Sequence, residues 1–301
     1  MSFHTPVLID EVVEALQIRP QGLYIDCTLG GGGHAAAILE HGGRVLGIDI
    51  DPNAIEIARN KLASYGDRII LINKSFEELE NICSSSGFTP ANGILFDLGM
   101  SSNQISDPHR GFSFNSEGPL KMCFDPYQEL TAEIIVNDYP EDEIAKIIKS
   151  YGEEPKGKAI AKAIVKNRPI NTTTELASLI SRVVGYRGRI HPATRTFQAI
   201  RIAVNRELER IKSALKQAVN ILAANGRLVV ISFHSLEDRL VKDYFRRESQ
   251  TCICPPQTPM CICNHQARIK LITKRVITPS DAEVRANPLS RSAKMRIAER
   301  I

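Results

Sequence analysis

The chain has 301 residues, of which 43% are apolar and 24% charged. That balance belongs to a folded protein of two domains or one large one, and it excludes disordered and collagen-like chains. The longest uncharged apolar runs are strand-length, as at 228–233, so no membrane span is expected. The first ten residues lack a basic stretch followed by an apolar one, and seven Cys is an odd number. Both lead to the expectation of a reduced, cytoplasmic protein. The formal charge of +4 conceals an asymmetry: residues 1–100 hold 6 Lys and Arg against 13 Asp and Glu, which from whole-chain totals of 38 and 34 leaves 32 basic and 21 acidic residues beyond. Such segregation fits a polyanionic partner, or a solvated basic face.

In chain order, short β-branched runs at 23–28, 44–50, 68–73 and 93–98 alternate with helical patterns, which predicts βαβ units and a parallel sheet. Asp51 followed by Pro52 marks a helix start, because an Asp N-cap and a Pro at the first helical position suit the unpaired groups there. From about 106 to 190 the pattern turns helical, near 141–150, 156–167 and 173–184. A single long helix is expected after Pro192, with Phe197, Ile200, Val204, Leu208, Ile211, Leu215, Ala218 and Leu222 on one stripe. Strand signals return at 227–232 and 269–276, with a helix at 236–246 between them. The economical fold is α/β: one doubly wound Rossmann-like domain built from 1–105 and 196–301, carrying an inserted helical domain over 106–195.

Asp26-Cys27-Thr28-Leu29-Gly30-Gly31-Gly32-Gly33-His34 sits where the first strand meets the first helix of the sheet. Four glycines let a ligand approach backbone without a Cβ in the way. Gly30, Gly32 and Ala35 fit G-x-G-x-x-G/A, and Asp49 ends the second strand, where an acid that binds ribose belongs. That fingerprint serves a dinucleotide or S-adenosylmethionine. Two features favour the sulfonium cofactor: no Lys or Arg lies between Thr28 and Glu40, and acids at strand ends, Asp26, Asp49, Asp51 and Asp97, are expected to form an electronegative rim suited to a cation and a ribose diol.

Asp97-Leu98-Gly99-Met100-Ser101-Ser102 joins further blocks: His4-Thr5-Pro6-Val7-Leu8, Arg110-Gly111-Phe112-Ser113-Phe114, residues 191–199 from His191 to Ala199, residues 232–239 from Ser232 to Arg239, Asn287-Pro288, and Arg291-Ser292-Ala293-Lys294. In this order, from end to end, they resemble the bacterial small-subunit ribosomal RNA cytosine-N4 methyltransferases, the MraW or RsmH family. The resemblance implies a class I S-adenosylmethionine-dependent fold. It also implies methyl transfer to the exocyclic amine of a cytosine in the 16S rRNA decoding centre, with 16S rRNA or the small ribosomal subunit as partner and the insertion as the RNA-recognition part. By the same resemblance Gly32, Gly33, His34, Asp49, Phe76, Asp97 and Gln104 are cofactor-contacting positions. A non-catalytic ribosome-assembly factor with the same fold is the alternative.

The chemistry suggests roles. Asp49 can accept both ribose hydroxyls, Phe76 can lie against the adenine or simply pack in the core, and the helix starting near His34 can hold the cofactor's carboxylate. Asp97, at the tip of the fourth strand, is expected to accept hydrogen from the target amine, with Ser101 and Ser102 as hydrogen-bonding partners. Phe112 and Phe114 are candidates to stack on an extruded base, or else pin the insertion. His191, Arg195 and Arg201 are candidates for phosphate contact. Where the family usually has Gly-Pro-Leu-Asp-Met-Arg-Met-Asp, this chain has Lys121 and Cys123 in place of the first Asp and the Arg, which puts substrate geometry in question. Finally, Cys252, Cys254, Cys261 and Cys263 form C-x-C-x6-C-x-C. Structural zinc sites usually have wider pairs, so a reduced, metal-free loop stiffened by Pro255, Pro256 and Pro259 is expected, with zinc as the alternative.

Overall fold

A computed structural model describes residues 6–186, 191–255, 257–258 and 260–301; His4, Thr5, Pro256 and Pro259 lie outside the described residues. The chain divides into two compact units, one of Met1–Gly99 with Leu208–Ile301 and the other of Met100–Glu207. The divisions therefore fall at 99/100 and 207/208, not at 105/106 and 195/196. No helix among the described residues is long and apolar enough to cross a membrane.

The first unit is built on seven strands: β1 (Leu23–Asp26), β2 (Arg44–Asp49), β3 (Ile69–Asn73), β4 (Ala91–Asp97), β5 (Leu222–Ser232), β6 (Ile269–Leu271) and β7 (Lys294–Arg300). They lie in the order β3-β2-β1-β4-β5-β7-β6. The first five are mutually parallel, whereas β7 runs antiparallel between β5 and β6. Val45 to Ile48 of β2 are buried on both faces, which explains why central parallel strands read as unbroken apolar runs. Asp51 caps the helix Pro52–Leu62 by accepting from the Asn53 N–H, as its position before Pro52 predicts.

The antiparallel end of the sheet departs from the expected parallel one. Only Ile269–Leu271 of the expected 269–276 strand forms β6, and β7 was hidden in a basic tail. Met295 and Ile297 bury against one face of the sheet and Ala298 against the other, and the charged residues around them mask the apolar count. The decisive feature for function is the reversal of strand order: β1 pairs with β2 on one side and β4 on the other. Ligands of open α/β sheets bind beyond the strand carboxyl ends at such a reversal, which is where Asp26, the glycine turn and Asp97 meet.

The second unit packs the helices Ala132–Asp138, Glu141–Gly152, Gly157–Lys166, Thr173–Val184 and Thr194–Asn205 around Ile135, Ile144, Ile148, Ile160, Ile180 and Ile200. Phe197, Ile200 and Val204 lie in this core, which is why the helix that carries them belongs to this unit. The single long helix expected after Pro192 is two, Thr194–Asn205 and Glu207–Ile221. Arg206 breaks it in the left-handed region at φ 48, and Leu222 has passed into β5.

Asn205 is the reason a break is tolerated there. Its side chain is fully buried, and its amide donates to the Met122 and Arg201 carbonyls while its oxygen accepts from the Phe124 N–H. The loop around Met122, itself at φ 56, depends on these bonds. An Asn205→Leu variant strands buried loop groups, so chemical denaturation should show a loss of about 2–4 kcal/mol; an unchanged midpoint would contradict this account.

Candidate active site

The glycine turn connects β1 to the helix Gly33–Glu40, with Gly32 as its N-cap at φ 72 and no side chain capping its first turn. A helix start without a side-chain cap is suited to an anion such as a carboxylate. Two of the glycines are tightly packed on the side where a Cβ would stand. A Cβ on Gly33 would stand 2.3 Å from Pro6 Cγ, and one on Gly32 2.9 Å from Leu62 Cδ1. Gly30 and Gly31 are the open pair, where a Cβ would meet nothing closer than 3.8 Å.

Asp49 is held at the end of β2 by two backbone donors, Gly30 N–H to Oδ2 at 2.8 Å and Asp51 N–H to Oδ1 at 2.9 Å. A carboxylate offers about four acceptor positions, so capacity for two hydroxyls is left. Burial pushes its carboxyl up to about 6, against the pull of those backbone bonds. Phe76 is half-buried and meets Phe96 edge-on, with centroids 5.6 Å apart. It packs on the core by one edge.

The expected acidic rim is not a rim. Asp26 and Asp51 are 1% and 2% exposed: Asp51 serves its helix cap, and Asp26 accepts from the Thr28 N–H through one oxygen. Asp26's other oxygen is buried without a hydrogen-bond partner among the described residues, and burial raises this carboxyl to about 7. Asp97 is the more telling case. Its backbone N–H donates to the Thr28 hydroxyl at 2.6 Å, which fixes the tip of β4. Its Oδ1 is buried and has no hydrogen-bond partner among the described residues.

Burial, then the nearby Asp26 and Glu237 carboxylates, hold the Asp97 carboxyl well above the usual range. His34 faces it, with Nδ1 3.6 Å from Asp97 Oδ2. The other ring nitrogen lies 3.0 Å from the Val7 carbonyl, which can only accept, so Nε2 carries a hydrogen. His34 is thus buried and oriented by Val7 toward Asp97. Glu237 was missed as a member of this group. It caps the helix Ser235–Glu248 from within, accepting from the Phe233 and His234 N–H groups. With His, not Ser or Thr, as the N-cap, the usual capping signature was absent from the sequence.

Ser101, Ser102 and Gln104 belong to the second unit. Ser101 Oγ accepts from the Gln104 N–H and Gln104 Oε1 from the Ser101 N–H, a reciprocal cap that starts the helix Ser102–Ser106. This gives Ser101 and Gln104 a structural duty that the sequence reading did not assign.

The expected base-stacking and phosphate-binding residues are largely committed elsewhere in the second unit. Phe112 is 7% exposed and stacks on Phe124, so no face is left for a base. Phe114 lies between His191, stacked at 4.5 Å, and Phe197, edge-on at 5.0 Å. His191 Nδ1 accepts from the Ala193 N–H, and its Nε2 lies 3.1 Å from the Tyr186 hydroxyl. Arg201 makes a two-pronged ion pair with Glu207, at 2.8 and 3.0 Å, and both are nearly buried. It is not available to phosphate. Arg195 is exposed, with Glu154 at 3.8 Å its ion-pair partner, and remains able to turn to a polyanion.

Lys121 is exposed, whereas Cys123 is buried and donates its thiol to the Lys121 and Leu130 carbonyls. Arg110 binds the Cys123 and Phe124 carbonyls at 2.9 and 3.0 Å. The departure from the family pattern is therefore absorbed into a well-bonded loop.

Strand order, glycine turn and acids at the strand ends define a class I methyltransferase, a Rossmann-like sheet with an inserted helical unit. The chain belongs to the MraW methylase family, whose pattern it matches over residues 1–301. It is 55% identical over 302 residues to "Ribosomal RNA small subunit methyltransferase H" of Dehalococcoides mccartyi, covering 99% of this chain and 86% of that protein. It is 53% identical over 305 residues to the protein of the same name from Thermomicrobium roseum, covering 99% and 94%. The cofactor is S-adenosylmethionine. The residues present fit it: an unpartnered carboxylate oxygen for the cation's neighbourhood, an acid at the end of β2 with acceptor capacity to spare, a four-glycine turn and no Lys or Arg between Thr28 and Glu40.

Proposed function

We propose that the chain methylates small-subunit ribosomal RNA, and that the acceptor is the N4 amine of a cytosine in the decoding centre of 16S rRNA. The observation that carries the reading is the buried, unpartnered Oδ1 of Asp97 at the tip of β4. An amine needs an acceptor for its hydrogens, and this oxygen offers one in a place with little water. The 53–55% identity to relatives named for small-subunit rRNA methylation supports the substrate class, as does the basic balance beyond residue 100.

S-adenosylmethionine, when bound, supplies an electrophilic methyl group and a positive charge. Asp49, the glycine-turn backbone through Gly32 and Gly33 and one face of Phe76 hold the cofactor. Asp97 receives a proton from the N4 nitrogen, whose lone pair is delocalised into the ring and needs that help. In a site this poor in water Asp97 alone favours its neutral form, and a cation nearby favours the carboxylate that can accept. His34, facing Oδ2, steadies that charge. Positioning contributes more than proton transfer, up to about 7–11 kcal/mol against the two to four orders of magnitude of a general base.

Recognition of RNA falls to the second unit, with Arg195 contacting phosphate and Phe114, rather than Phe112, the aromatic that can serve a base if His191 gives way. The buried thiols of Cys27, Cys83 and Cys123 fit a reducing compartment. The test is incubation with labelled S-adenosylmethionine and undermethylated small subunits, followed by nucleoside analysis. N4-methylated cytidine is expected; label at another nucleoside overturns the acceptor, and no label at all favours the assembly-factor reading. With Cys123 and Lys121 absorbed into their loop, nothing in the structure favours that alternative.

A further inference from the structure

Between the helix Ser235–Glu248 and β6 lies a loop that the methyltransferase reading does not use. It brings Cys252, Cys254, Cys261 and Cys263 together, with their four sulfur atoms all within 4.8 Å of one another. We infer that these four cysteines bind a single zinc ion that orders this loop.

The distances fit a metal and not a disulfide. Cys252 and Cys261 sulfurs are 3.5 Å apart, Cys261 and Cys263 3.6 Å, and Cys252 and Cys263 3.8 Å. A disulfide needs about 2.05 Å. A tetrahedron with zinc–sulfur bonds of about 2.3 Å has edges of about 3.8 Å. Four sulfurs this close enclose one ion and leave no room for an iron–sulfur cluster. An all-sulfur donor set excludes magnesium and calcium, which take oxygen.

The backbone supplies a second, independent sign. Ile253 N–H points at Cys263 sulfur, Cys254 N–H at Cys252 sulfur and Ile262 N–H at Cys254 sulfur, each at 3.4 Å. Donors aimed at sulfur stabilise thiolates, as the outer shell of a metal site does. Narrow C-x-C pairs, the feature that argued against a metal in the sequence, are what allow these short bonds. His265 is not among the groups gathered there: the four sulfurs alone fill a tetrahedral sphere, and its Nε2 donates to the Arg247 carbonyl at 3.0 Å.

The loop also needs such a tie. Met260 and Ile262 are 78% and 77% exposed, so the loop buries no core of its own, and metal binding energy substitutes for one. Four protein ligands close the coordination sphere, which makes the site structural and not catalytic.

Metal analysis of the full chain, purified without chelator, should find about one zinc per chain. Cys261→Ser with Cys263→Ser should lower this at least about tenfold, and stripping the metal should speed proteolytic cleavage within 251–268 by a similar factor. Should that variant fail to fold, the native chain loaded with cobalt gives a separate reading: intense thiolate-to-cobalt absorption is expected. Absence of both stoichiometric zinc and the cobalt band overturns the site, and stoichiometric iron in place of zinc overturns the choice of metal. None of these readouts depends on methyl transfer, so the outcome is separable from that of the proposed function.

Discussion

Asp97→Ala is expected to lower methyl transfer by at least about a hundredfold while adenosylhomocysteine affinity changes only a few-fold. The reasoning is differential: the carboxylate acts on the amine in the transition state, and contacts made only there appear in turnover and not in ground-state binding. A general base contributes about two to four orders of magnitude. The same residue is costly to the resting fold, because its Oδ1 is buried without a partner and its charge stands near Asp26 and Glu237. Thermal stability should therefore hold or rise in the variant, an outcome opposite to that of a disrupted fold. The measurements are single-turnover transfer of labelled methyl and calorimetric titration with adenosylhomocysteine. Turnover at the native rate would remove Asp97 from the mechanism.

Asp49→Ala should act in the opposite way, weakening cofactor binding by about one to two orders of magnitude, since a hydrogen bond to a charged acceptor is worth about 1.5–3 kcal/mol. Asp49 also accepts from the Gly30 and Asp51 N–H groups, one on each oxygen, so Asp49→Asn, which keeps one of these bonds, is the sharper test. It keeps the shape and removes the charge. The carboxyl stands at about 6 in the free protein, raised first by burial, and hydroxyl donors favour its ionised form. Binding below pH 6 must then release a proton, so affinity should rise from pH 5 to about 7 and level off above, and Asp49→Asn should flatten that slope. The free protein should show the reverse trend in stability. With Asp26 at about 7 and Asp49 at about 6, both above the 3.8 of an unburied Asp, the folded state binds more protons than the unfolded one in this range. Stability contributed by their neutral forms is present at about pH 4 and lost as pH rises through 6 to 7. Affinity that stays level from pH 5 to 7 would show that the Asp49 charge is not used.

Side-chain chemistry along the backbone was enough to locate β1 to β4, the glycine turn, the Asp51 cap and the placement of Asp49 and Asp97 at strand ends, because apolar runs, Gly, Pro and N-cap acids act within a few residues of themselves. Long-range pairing decided the rest. β7 is a strand because β5 and β6 flank it; the short alternation Lys294-Met295-Arg296-Ile297 is a strand pattern, but nothing local says where it pairs. The helix breaks at Arg206 because Asn205 answers to Met122 and Phe124, far off in sequence. Arg201 and Phe112 look available to RNA until Glu207 and Phe124 occupy them, and only the fold sets Leu62 and Pro6 against the Cβ side of Gly32 and Gly33. The four cysteines show the same division. Their spacing spoke against a metal, and only the folded loop sets their sulfurs at tetrahedral separations, since distance in space between distant residues is fixed by packing and not by the order of the chain.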